Sequence, residues 1–427
     1  MLDIRFIREH PDLVKAGAAK KHIQADIDGL LGVDEQRRAL RAEVDALRAE
    51  RNTVSDRIGK QLQGEDRQQA IARMKQVSAR IKALEEALKP LEGRFRDLML
   101  SVPSVPADEV PEGASDADNV EVRRWGQPPR FDFEPKDHVE LGEALDLIDI
   151  PRGVKVSGAR CYFLKHEAAL LELAVCRFAL DRIVAKGFVP MIVPLFVRDE
   201  AMLGTGYFPW GADQVYHLGG EEPPLHLIGT SEVPLAAYHY DEILAEEQLP
   251  LYYAGFSACF RREAGTYGKD TRGLYRIHQF HKIEQVVVCP NDEATSRYEL
   301  EHLLGNAEDV LQALGIPYRV VAVCGAELGA GQVKKYDIEC WMPSRGAYGE
   351  THSCSMFGEF QARRLKLRYR NKEGRTLYAH TLNNTLIASP RILIPVLEIN
   401  QQSDGTVRIP KVLEAYMGGQ AVIEPKR

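Results

Sequence analysis

Apolar residues recur at alternating steps of three and four from Val33 to Leu100, and this repeat constrains the possible folds more than any other feature of the chain. Such a heptad pattern is typical of helices that pack along a common seam. It runs in two long stretches, separated by the turn-forming residues Gln63-Gly64-Glu65-Asp66. The pattern predicts an antiparallel hairpin of two helices, each about 45 Å long for about 30 residues, which would protrude from a compact domain.

Charge is distributed unevenly along this hairpin. Its distal half, residues 51–82, contains eight Lys or Arg against three acidic residues, whereas the whole chain carries a net charge of -7. A basic tip on an acidic protein predicts a contact with a phosphate backbone. The alternative is the ordinary solvated surface of a coiled coil, on which charged residues serve no partner.

A domain boundary follows the hairpin, because residues 101–113 are rich in proline and cannot continue a helix. The predicted domains are a helical arm, 1–104, and a second domain, 105–427. In the second domain, helical patterns such as 164–186 alternate irregularly with β-rich runs. These runs lie at 188–197, 251–260, 275–288 and 318–324. This order favours an α+β domain built on an antiparallel sheet flanked by helices.

Composition excludes several classes of protein. The hydrophobic fraction of 44% and the charged fraction of 27% are those of a globular protein. No run approaches the roughly 18 apolar residues of a membrane span, and the first residues do not resemble a signal peptide, so we expect a cytoplasmic protein without a membrane partner. The seven cysteines are scattered and never spaced as Cys-x-x-Cys, which argues against a disulfide framework or a zinc knuckle.

The segment from Cys259 to Glu284 has the most unusual chemistry. Two β-like runs flank a loop rich in Gly, Lys and Asp, which predicts a β-hairpin with Arg261 and Glu263 on one face of its first strand. The same parity on the second strand aligns Arg276, His278, Phe280, Lys282 and Glu284. Guanidinium groups suit phosphate, an aromatic ring stacks on a base and a carboxylate accepts from an amine, so we interpret this face as a nucleotide site.

Several ordered motifs resemble those of class II aminoacyl-tRNA synthetases, and of their seryl branch in particular. The arrangement Phe-Arg-x-Glu, loop, Arg-x-x-x-Phe at 260–280 resembles the second class II signature. The strings Arg-Glu-Ala-Gly-x-x-Gly-Lys-Asp-Thr-Arg-Gly-Leu and His-Gln-Phe-x-Lys-x-Glu, which end at Leu274 and Glu284, resemble the seryl enzymes. Gly187-Phe188 with Pro194 resembles the first signature, and Ala388-Ser389-Pro390-Arg391 the third. The N-terminal hairpin resembles the tRNA-binding arm of bacterial-type seryl enzymes.

The resemblance implies an ATP site with two catalytic arginines. Arg261 would bind the α-phosphate and Arg391 the γ-phosphate. Glu263 would accept from the adenine amine, and Phe280 would stack on the ring. The expected ATP site consists of Arg261, Arg262, Glu263, Ile277, Phe280, Glu350, Thr351, His352, Ser353 and Arg391.

The resemblance also implies a serine site and a metal ion. The expected serine site consists of Thr230, Ser231, Glu232, Arg261, Glu284 and Thr385. Glu350 and Ser353 would hold Mg²⁺ with the ATP. Strict strand parity would place these two residues on opposite faces, so either the strand bulges there or one of them binds through water.

The third motif departs from a common family form. Many members read Asn-Gly-Ser-Gly-Leu-Ala-x-Gly-Arg where this chain reads Asn-Asn-Thr-Leu-Ile-Ala-Ser-Pro-Arg at 383–391. The segment predicts a helix with Ser389 as its N-cap and Pro390 at its first position, with a kink at Pro395. Arg391 would then lie beside the positive end of that helix, where it suits a phosphate.

The activity implied by the resemblance is the ATP-dependent attachment of L-serine to tRNA(Ser) through seryl-adenylate, with tRNA(Sec) as a second substrate. The implied assembly is a homodimer in which the arm of one subunit reaches tRNA bound on the other. Three alternatives remain. A seryl-like ligase that loads a carrier protein would lack the arm, and an inactive paralogue would lack some of Arg261, Glu263, Glu284 and Arg391. A coiled-coil scaffold joined to an unrelated enzyme would show no such ATP chemistry.

Overall fold

The computed structural model describes residues 1–220, 222–265 and 272–426. The chain separates into two compact units. The helical unit comprises Leu2–Ala19 and Ile23–Pro103, and the sheet unit comprises Met1, Lys20–His22 and Ser104–Arg427. Within the described ranges, every helix is too short or too polar to cross a membrane.

The helical unit is a long antiparallel hairpin preceded by two short helices. Its helices are α1 Ile4–Glu9, α2 Pro11–Lys20, α3 Ile27–Lys60 and α4 Gly64–Leu100. The seam between α3 and α4 is formed by the heptad positions, which are Leu40, Val44, Leu47, Val54, Ile58, Met74, Val77, Ile81 and Leu84. The predicted hairpin is therefore confirmed. The connection is shorter than predicted, because Gly64, Glu65 and Asp66 already belong to α4, whose first turn favours acidic side chains.

Ion pairs join the two long helices outside the apolar seam. Arg48 Nη2 lies 2.6 Å from Glu85, and Arg80 Nη2 lies 2.9 Å from Glu43. Arg73 pairs with Glu50 nearer the tip. These pairs are exposed, so each contributes at most about 1 kcal/mol to stability, and the apolar seam supplies most of the packing energy.

The sheet unit consists of one large sheet with further short strands and helices arranged around it, and two of these helices have 20 and 22 residues. Its strands are β1 Val120–Trp125, β2 Ile148–Asp149, β3 Phe163–Leu164, β4 Val189–Ile192, β5 Phe196–Arg198, β6 His217–Leu218, β7 Leu225–Leu227, β8 Ile243–Ala245, β9 Leu251–Phe260, β10 Gln279–Cys289, β11 Tyr318–Ala322, β12 Lys334–Met342, β13 Ala347–Gly358, β14 Arg368–Arg370, β15 Thr376–Tyr378, β16 His380–Ser389, β17 Val407–Arg408 and β18 Val422–Ile423. Its helices are α5 His138–Ala144, α6 Ile150–Ser157, α7 His166–Ala185, α8 Asp199–Thr205, α9 Glu232–Ala236, α10 Glu293–Leu314, α11 Phe360–Leu365 and α12 Leu393–Ile399.

The large sheet has the strand order β1-β11-β12-β13-β16-β10-β9-β4. Its strands pair antiparallel, except that the edge strand β4 runs parallel to β9. Buried residues of α7, α10 and α12 pack with those of β10, β13 and β16 in one hydrophobic cluster. The predicted α+β architecture, an antiparallel sheet flanked by helices, is thus confirmed.

The helix predicted at the third motif begins later than expected. Ser389 is the last residue of β16, and α12 starts at Leu393 with Ile392 as its N-cap. The prediction of Ser389 as N-cap was wrong because the β16 ladder extends to the end of the motif, where Ser389 pairs with His281 of β10. Arg391 therefore lies in the turn between β16 and α12 rather than in the first turn of a helix.

Candidate active site

One cleft of the sheet unit collects residues from α9, β10, β12, β13 and β16 and from several loops, among them those that follow β9 and β16. It is lined by Tyr207, Thr230, Glu232, Arg261, Glu263, Leu274, Tyr275, Ile277, Phe280, Lys282, Glu284, Gln332, Lys335, Glu350, Thr351, Ser353, Ser355, Asn383, Thr385, Ala388, Ser389 and Arg391. Charged and hydroxyl side chains dominate this lining. Such a concentration of charged groups in a cleft is typical of a functional site.

The loop after β9 brings Arg261 and Glu263 into the cleft. The β9–β10 hairpin is present as predicted, but its last ladder pair is Phe260 with Gln279, so both residues lie outside the strand. Glu263 has φ +50°, in the left-handed region. The expectation that strand parity aligns them was therefore wrong, as it was for Arg276 and His278, which precede β10.

Tertiary contacts give this loop its shape. The side-chain amide of Gln214 donates to Ala264 O at 3.0 Å and accepts from Ala264 N at 3.1 Å, while Gln214 O accepts from Arg262 N at 2.9 Å. These three bonds hold the chain on both sides of Glu263. Part of the second signature, residues 266–271, lies outside the described residues.

Arg261 and Phe280 form the cationic and aromatic end of the cleft. The Arg261 Nε donates to Gly229 O at 3.3 Å, and its guanidinium carbon lies 5.3 Å from the centre of the Phe280 ring. Glu263 faces two further guanidinium groups, those of Arg276 at 3.3 Å and Arg160 at 3.9 Å. The arrangement offers a planar cation and a ring face to a ligand that is both anionic and flat.

A β-bulge places Glu350 and Ser353 in the same cleft. In the β12–β13 ladder, Ile338 pairs with His352 and Glu339 with Glu350, so Thr351 is the extra residue. Of the two arrangements left open by the sequence, the structure shows the bulge. Both side chains consequently line the cleft despite their odd spacing.

Arg391 is held beside Glu350. Its Nε donates to Tyr275 O and its Nη1 to Glu350 O, each at 3.1 Å, and its guanidinium carbon lies 4.4 Å from the centre of the Tyr275 ring. Desolvation in the cleft raises the pKa of Glu350, but Arg391 and Lys335 lower it more, so the net shift is downward. Glu350 is therefore a carboxylate at neutral pH.

A buried polar pocket forms the other end of the cleft. Lys282 Nζ lies 2.7 Å from Glu284 Oε2, and Thr385 Oγ1 donates to the same oxygen at 3.3 Å. Thr230 and Glu232 are also buried and line the pocket. Burial, together with the nearby carboxylate of Glu284, raises the pKa of Glu232 to about 7. Two buried carboxylates with a single lysine between them leave a net negative charge, which favours a cationic ligand because an uncompensated buried charge is costly.

Comparison with known proteins relates the chain to a described family. The model of the seryl-tRNA synthetase N-terminal domain matches residues 1–106, and that of the tRNA synthetase class II core domain (G, H, P, S and T) matches residues 216–400. A serine–tRNA ligase from Deinococcus radiodurans is 49% identical over 99% of both chains. The chain belongs to the seryl-tRNA synthetase family. Its members are class II aminoacyl-tRNA synthetases.

Solved structures agree with this membership in the seryl-tRNA synthetase family. The seryl-tRNA synthetase from Pyrococcus horikoshii, solved in complex with ATP, is 40% identical and superposes with a TM-score of 0.93 over 100% of both chains. The cytoplasmic serine–tRNA ligase from Naegleria fowleri, solved with AMP, is 32% identical with a TM-score of 0.88, over 100% of this chain and 99% of that one.

Three residues expected in the seryl-tRNA synthetase site have side chains directed elsewhere. The His352 ring is buried, with Nε2 at 3.1 Å from Leu386 O and Nδ1 at 2.7 Å from Thr351 Oγ1, and burial lowers its pKa to about 4. Ser231 Oγ donates to Gly255 O at 3.1 Å beneath the pocket. Arg262 is exposed and does not line the cleft. The other twelve expected residues do line it.

Several residues of the cleft have no role that was expected from the sequence. Strand parity placed Lys282 on the predicted nucleotide face together with Glu284, but without a role of its own. Asn383 belongs to the third motif, and its buried Oδ1 has no hydrogen-bond partner among the residues that the structure describes. Tyr207, Gln332 and Lys335 carry no local signal, because only the packing of distant segments brings them to the cleft.

Proposed function

We propose that this cleft joins serine to ATP and then transfers it to tRNA, the activity of the seryl-tRNA synthetase family. One observation carries the assignment. The guanidinium groups of Arg261 and Arg391 and the buried carboxylates of Glu232 and Glu284 line a single continuous cleft. An anionic nucleotide and a cationic amino acid would each find its complement there, side by side.

ATP would occupy the end formed by Arg261, Phe280 and Arg391. The guanidinium of Arg261 suits a bidentate bond to the α-phosphate, and the Phe280 ring suits stacking against adenine. Glu263 would accept from the adenine amine. Arg391, held by Tyr275 and Glu350, would bind the γ-phosphate. Arg262 and His352 would contribute through their backbone, since their side chains do not line the cleft, whereas Ile277 and Thr351 border it.

Serine would occupy the buried pocket. Glu232 and Glu284 suit its ammonium group, and Thr230 and Thr385 suit its hydroxyl, with Arg261 next to its carboxylate and Ser231 supporting the pocket from beneath. Alanine lacks the hydroxyl, so its binding would leave buried polar groups unpaired. Rejection of alanine should therefore be strong, because such unpaired groups cost about 1–3 kcal/mol each.

The reaction would proceed by two displacements. A serine carboxylate oxygen attacks the α-phosphorus, the bond to the bridging oxygen breaks, and pyrophosphate leaves. A ribose hydroxyl of the terminal tRNA adenosine then attacks the seryl carbonyl carbon and releases its proton, and AMP leaves with the electron pair of the broken carbon–oxygen bond. No side-chain nucleophile takes part, so Arg261 and Arg391 would act by orienting the reactants and stabilising the charge that develops on phosphate oxygens.

Mg²⁺ fits the residues at the Arg391 end. The ionised carboxylate of Glu350 and the hydroxyl of Ser353 are hard oxygen donors on one strand, brought together by the bulge at Thr351. Magnesium is usually held by one or two protein oxygens together with substrate phosphates. A bound ion would neutralise charge on the β- and γ-phosphates of ATP.

The helical hairpin would bind the tRNA. Its tip carries the basic residues noted above, and duplex RNA is bound mainly through its shape and backbone. We extend the proposal to tRNA(Sec) as a second substrate, to a cytoplasmic location and to an arm that reaches tRNA bound on the other subunit of a homodimer.

The homodimer is supported by an exposed apolar surface around the edge strand β4. Ile192 is 89% exposed and Val189 is 52% exposed on this strand, and α7, which contacts β4, exposes Leu170 and Leu173. An uncovered edge strand with apolar side chains favours association with a second chain. Gly187-Phe188 and Pro194, which resemble the first class II signature, flank this strand.

We expect Ile192→Lys to weaken the dimer at least about a hundredfold, because an unpaired charge buried in an apolar interface costs several kcal/mol. Sedimentation equilibrium at micromolar concentration measures the change. Val122→Lys, at a residue of β1 that is 47% exposed on the opposite edge strand of the sheet, is the matched control and should leave the mass unchanged. A variant at Ile192 that stays dimeric with an unaltered constant would exclude this surface as the interface.

Amino-acid-dependent ATP–pyrophosphate exchange, tested with each proteinogenic amino acid, checks the proposed function. We expect exchange with serine and rates at least about a hundredfold lower with alanine and threonine. Exchange with serine followed by no charging of tRNA(Ser) would favour the carrier-protein ligase. Absence of exchange with every amino acid would favour an inactive paralogue.

A further inference from the structure

Gln361 lies behind the serine pocket and ties three elements together. It is 1% exposed and belongs to α11. Its Nε2 donates to Glu232 Oε1 at 2.8 Å, at the start of α9, and to Thr205 O at 3.2 Å, at the end of α8. Its Oε1 accepts from Thr381 Oγ1 of β16 at 2.7 Å. Gln361 does not line the cleft, but Glu232 does.

The donors and acceptors around Gln361 require an amide side chain at this position. The Thr205 carbonyl and the Glu232 carboxylate can only accept, so both must face the two hydrogens of an NH₂ group. The amide oxygen then faces Thr381, whose hydroxyl must donate. The network is satisfied in one orientation only. A glutamate here would place two acceptors against each other, and an apolar side chain would leave the Thr205 carbonyl unpaired.

We propose that Gln361 is a positioning residue for serine recognition, which holds the Glu232 carboxylate in place and in its ionised form for the substrate ammonium. The inference rests on the serine-binding role of Glu232 that we proposed above. The hydrogen bond from Gln361 is charge-assisted when Glu232 is ionised and weaker when it is protonated. Gln361 therefore favours the form of Glu232 that binds an ammonium group.

Other charged groups around Glu232 set the direction of a pH effect. Burial and Glu284 raise the pKa of Glu232, while Gln361, Lys282 and Arg261 lower it. Tyr207 also faces it, and burial keeps that phenol protonated. Because the folded-state pKa is about 7, the ionised form is lost as the pH falls through 7. Removing the Gln361 donor raises the pKa further, so ionisation then requires a higher pH.

The test is Gln361→Met, which keeps the side-chain volume and removes the donor. We measure kcat/KM for serine in ATP–pyrophosphate exchange between about pH 5.5 and 8.5. In the wild type this quantity should rise with pH, reach half of its maximum near pH 7 and level off about one pH unit higher. In the variant we expect KM for serine to rise at least about tenfold at pH 7. The acid limb, which is the part of the curve where kcat/KM rises with pH, should move up by about one pH unit. The KM for ATP should change less than about twofold.

A matched control separates positioning from packing. Gln401 is a second buried glutamine of the sheet unit, bonded to the backbone of Lys136 and Glu398. Gln401→Met should leave both the acid limb and KM for serine unchanged. Thr381→Val removes the donor that orients the amide and should shift the limb in the same direction as Gln361→Met, whereas Thr381→Ser should restore the wild-type profile.

Two outcomes overturn the inference in distinguishable ways. Normal KM for serine in Glu232→Gln would exclude the proposed role of Glu232 and, with it, that of Gln361. An impaired Glu232→Gln, combined with an unshifted limb and unshifted KM in Gln361→Met, would overturn the positioning role alone. If Gln361→Met does not fold, an unshifted limb in Thr381→Val overturns it equally.

Discussion

Arg261→Lys is expected to reduce kcat/KM for serine-dependent ATP–pyrophosphate exchange by at least about a hundredfold. Lysine keeps the charge, but its ammonium cannot make a bidentate bond or lie flat against a ring. Arg261 is placed to do both, because its Nε donates to Gly229 O and its guanidinium carbon lies 5.3 Å from the centre of the Phe280 ring. Because the charge on the α-phosphate oxygens grows as the carboxylate attacks, the loss should fall on kcat as well as on KM for ATP.

Steady-state exchange kinetics at saturating Mg²⁺ measure this effect. Arg370→Lys, at an exposed position of β14 away from the cleft, is the matched control and should retain full activity. The melting temperature of both variants should stay within a few degrees of the wild type. If Arg261→Lys kept more than about a tenth of the activity, Arg261 would not be the group that binds the α-phosphate.

Neutralising the tip of the helical hairpin is expected to reduce kcat/KM for tRNA charging at least about tenfold and to leave exchange unchanged. The exposed residues to be replaced by glutamine are Arg57, Lys60, Arg67 and Lys75. Each basic side chain that contacts a phosphate releases counterions from the RNA, so its loss weakens binding and its salt dependence together. If all four residues contact phosphate, the negative slope of log kcat/KM against log salt concentration should become shallower by about 3.

Charging assays at several salt concentrations measure both quantities. The double variant Arg94→Gln and Arg96→Gln, at two exposed residues outside the basic distal half, is the matched control and should have the smaller effect.

A variant with a shorter hairpin tests the arm as a whole. Because Glu50 and Arg73 form an ion pair across the hairpin, residues 51–72 can be replaced by a short glycine linker at that level. The shorter hairpin, or deletion of 34–98, should abolish charging and retain exchange. Retained charging in either would refute the role of the arm.

The hairpin and the sheet were predictable because their signals are local. A heptad repeat specifies its own partner surface, and α3 and α4 pack along the positions that it marks. Strand parity in β10 correctly placed Phe280, Lys282 and Glu284 in one cleft. The motifs that resemble the seryl enzymes identified the family, since they are ordered strings of residues and need no coordinates.

The exact form of the site depended on contacts that no local pattern contains. Gln214 shapes the loop of Arg261 and Glu263 from a segment about fifty residues earlier in the chain. The bulge at Thr351 arises from the register against β12, and β16 extends through Ser389 because β10 continues to pair with it.

The sequence by itself determined the arm, the α+β class and the chemical types at the cleft, because periodicity and side-chain chemistry are properties of neighbouring residues. Only the tertiary structure decided which of these side chains meet. It turned His352 and Ser231 away from the cleft and brought Lys335 into it. It also placed Gln361 behind Glu232. The physical reason is that hydrogen bonds and packing between distant segments orient each side chain. The sequence around a residue does not show which distant segment will contact it.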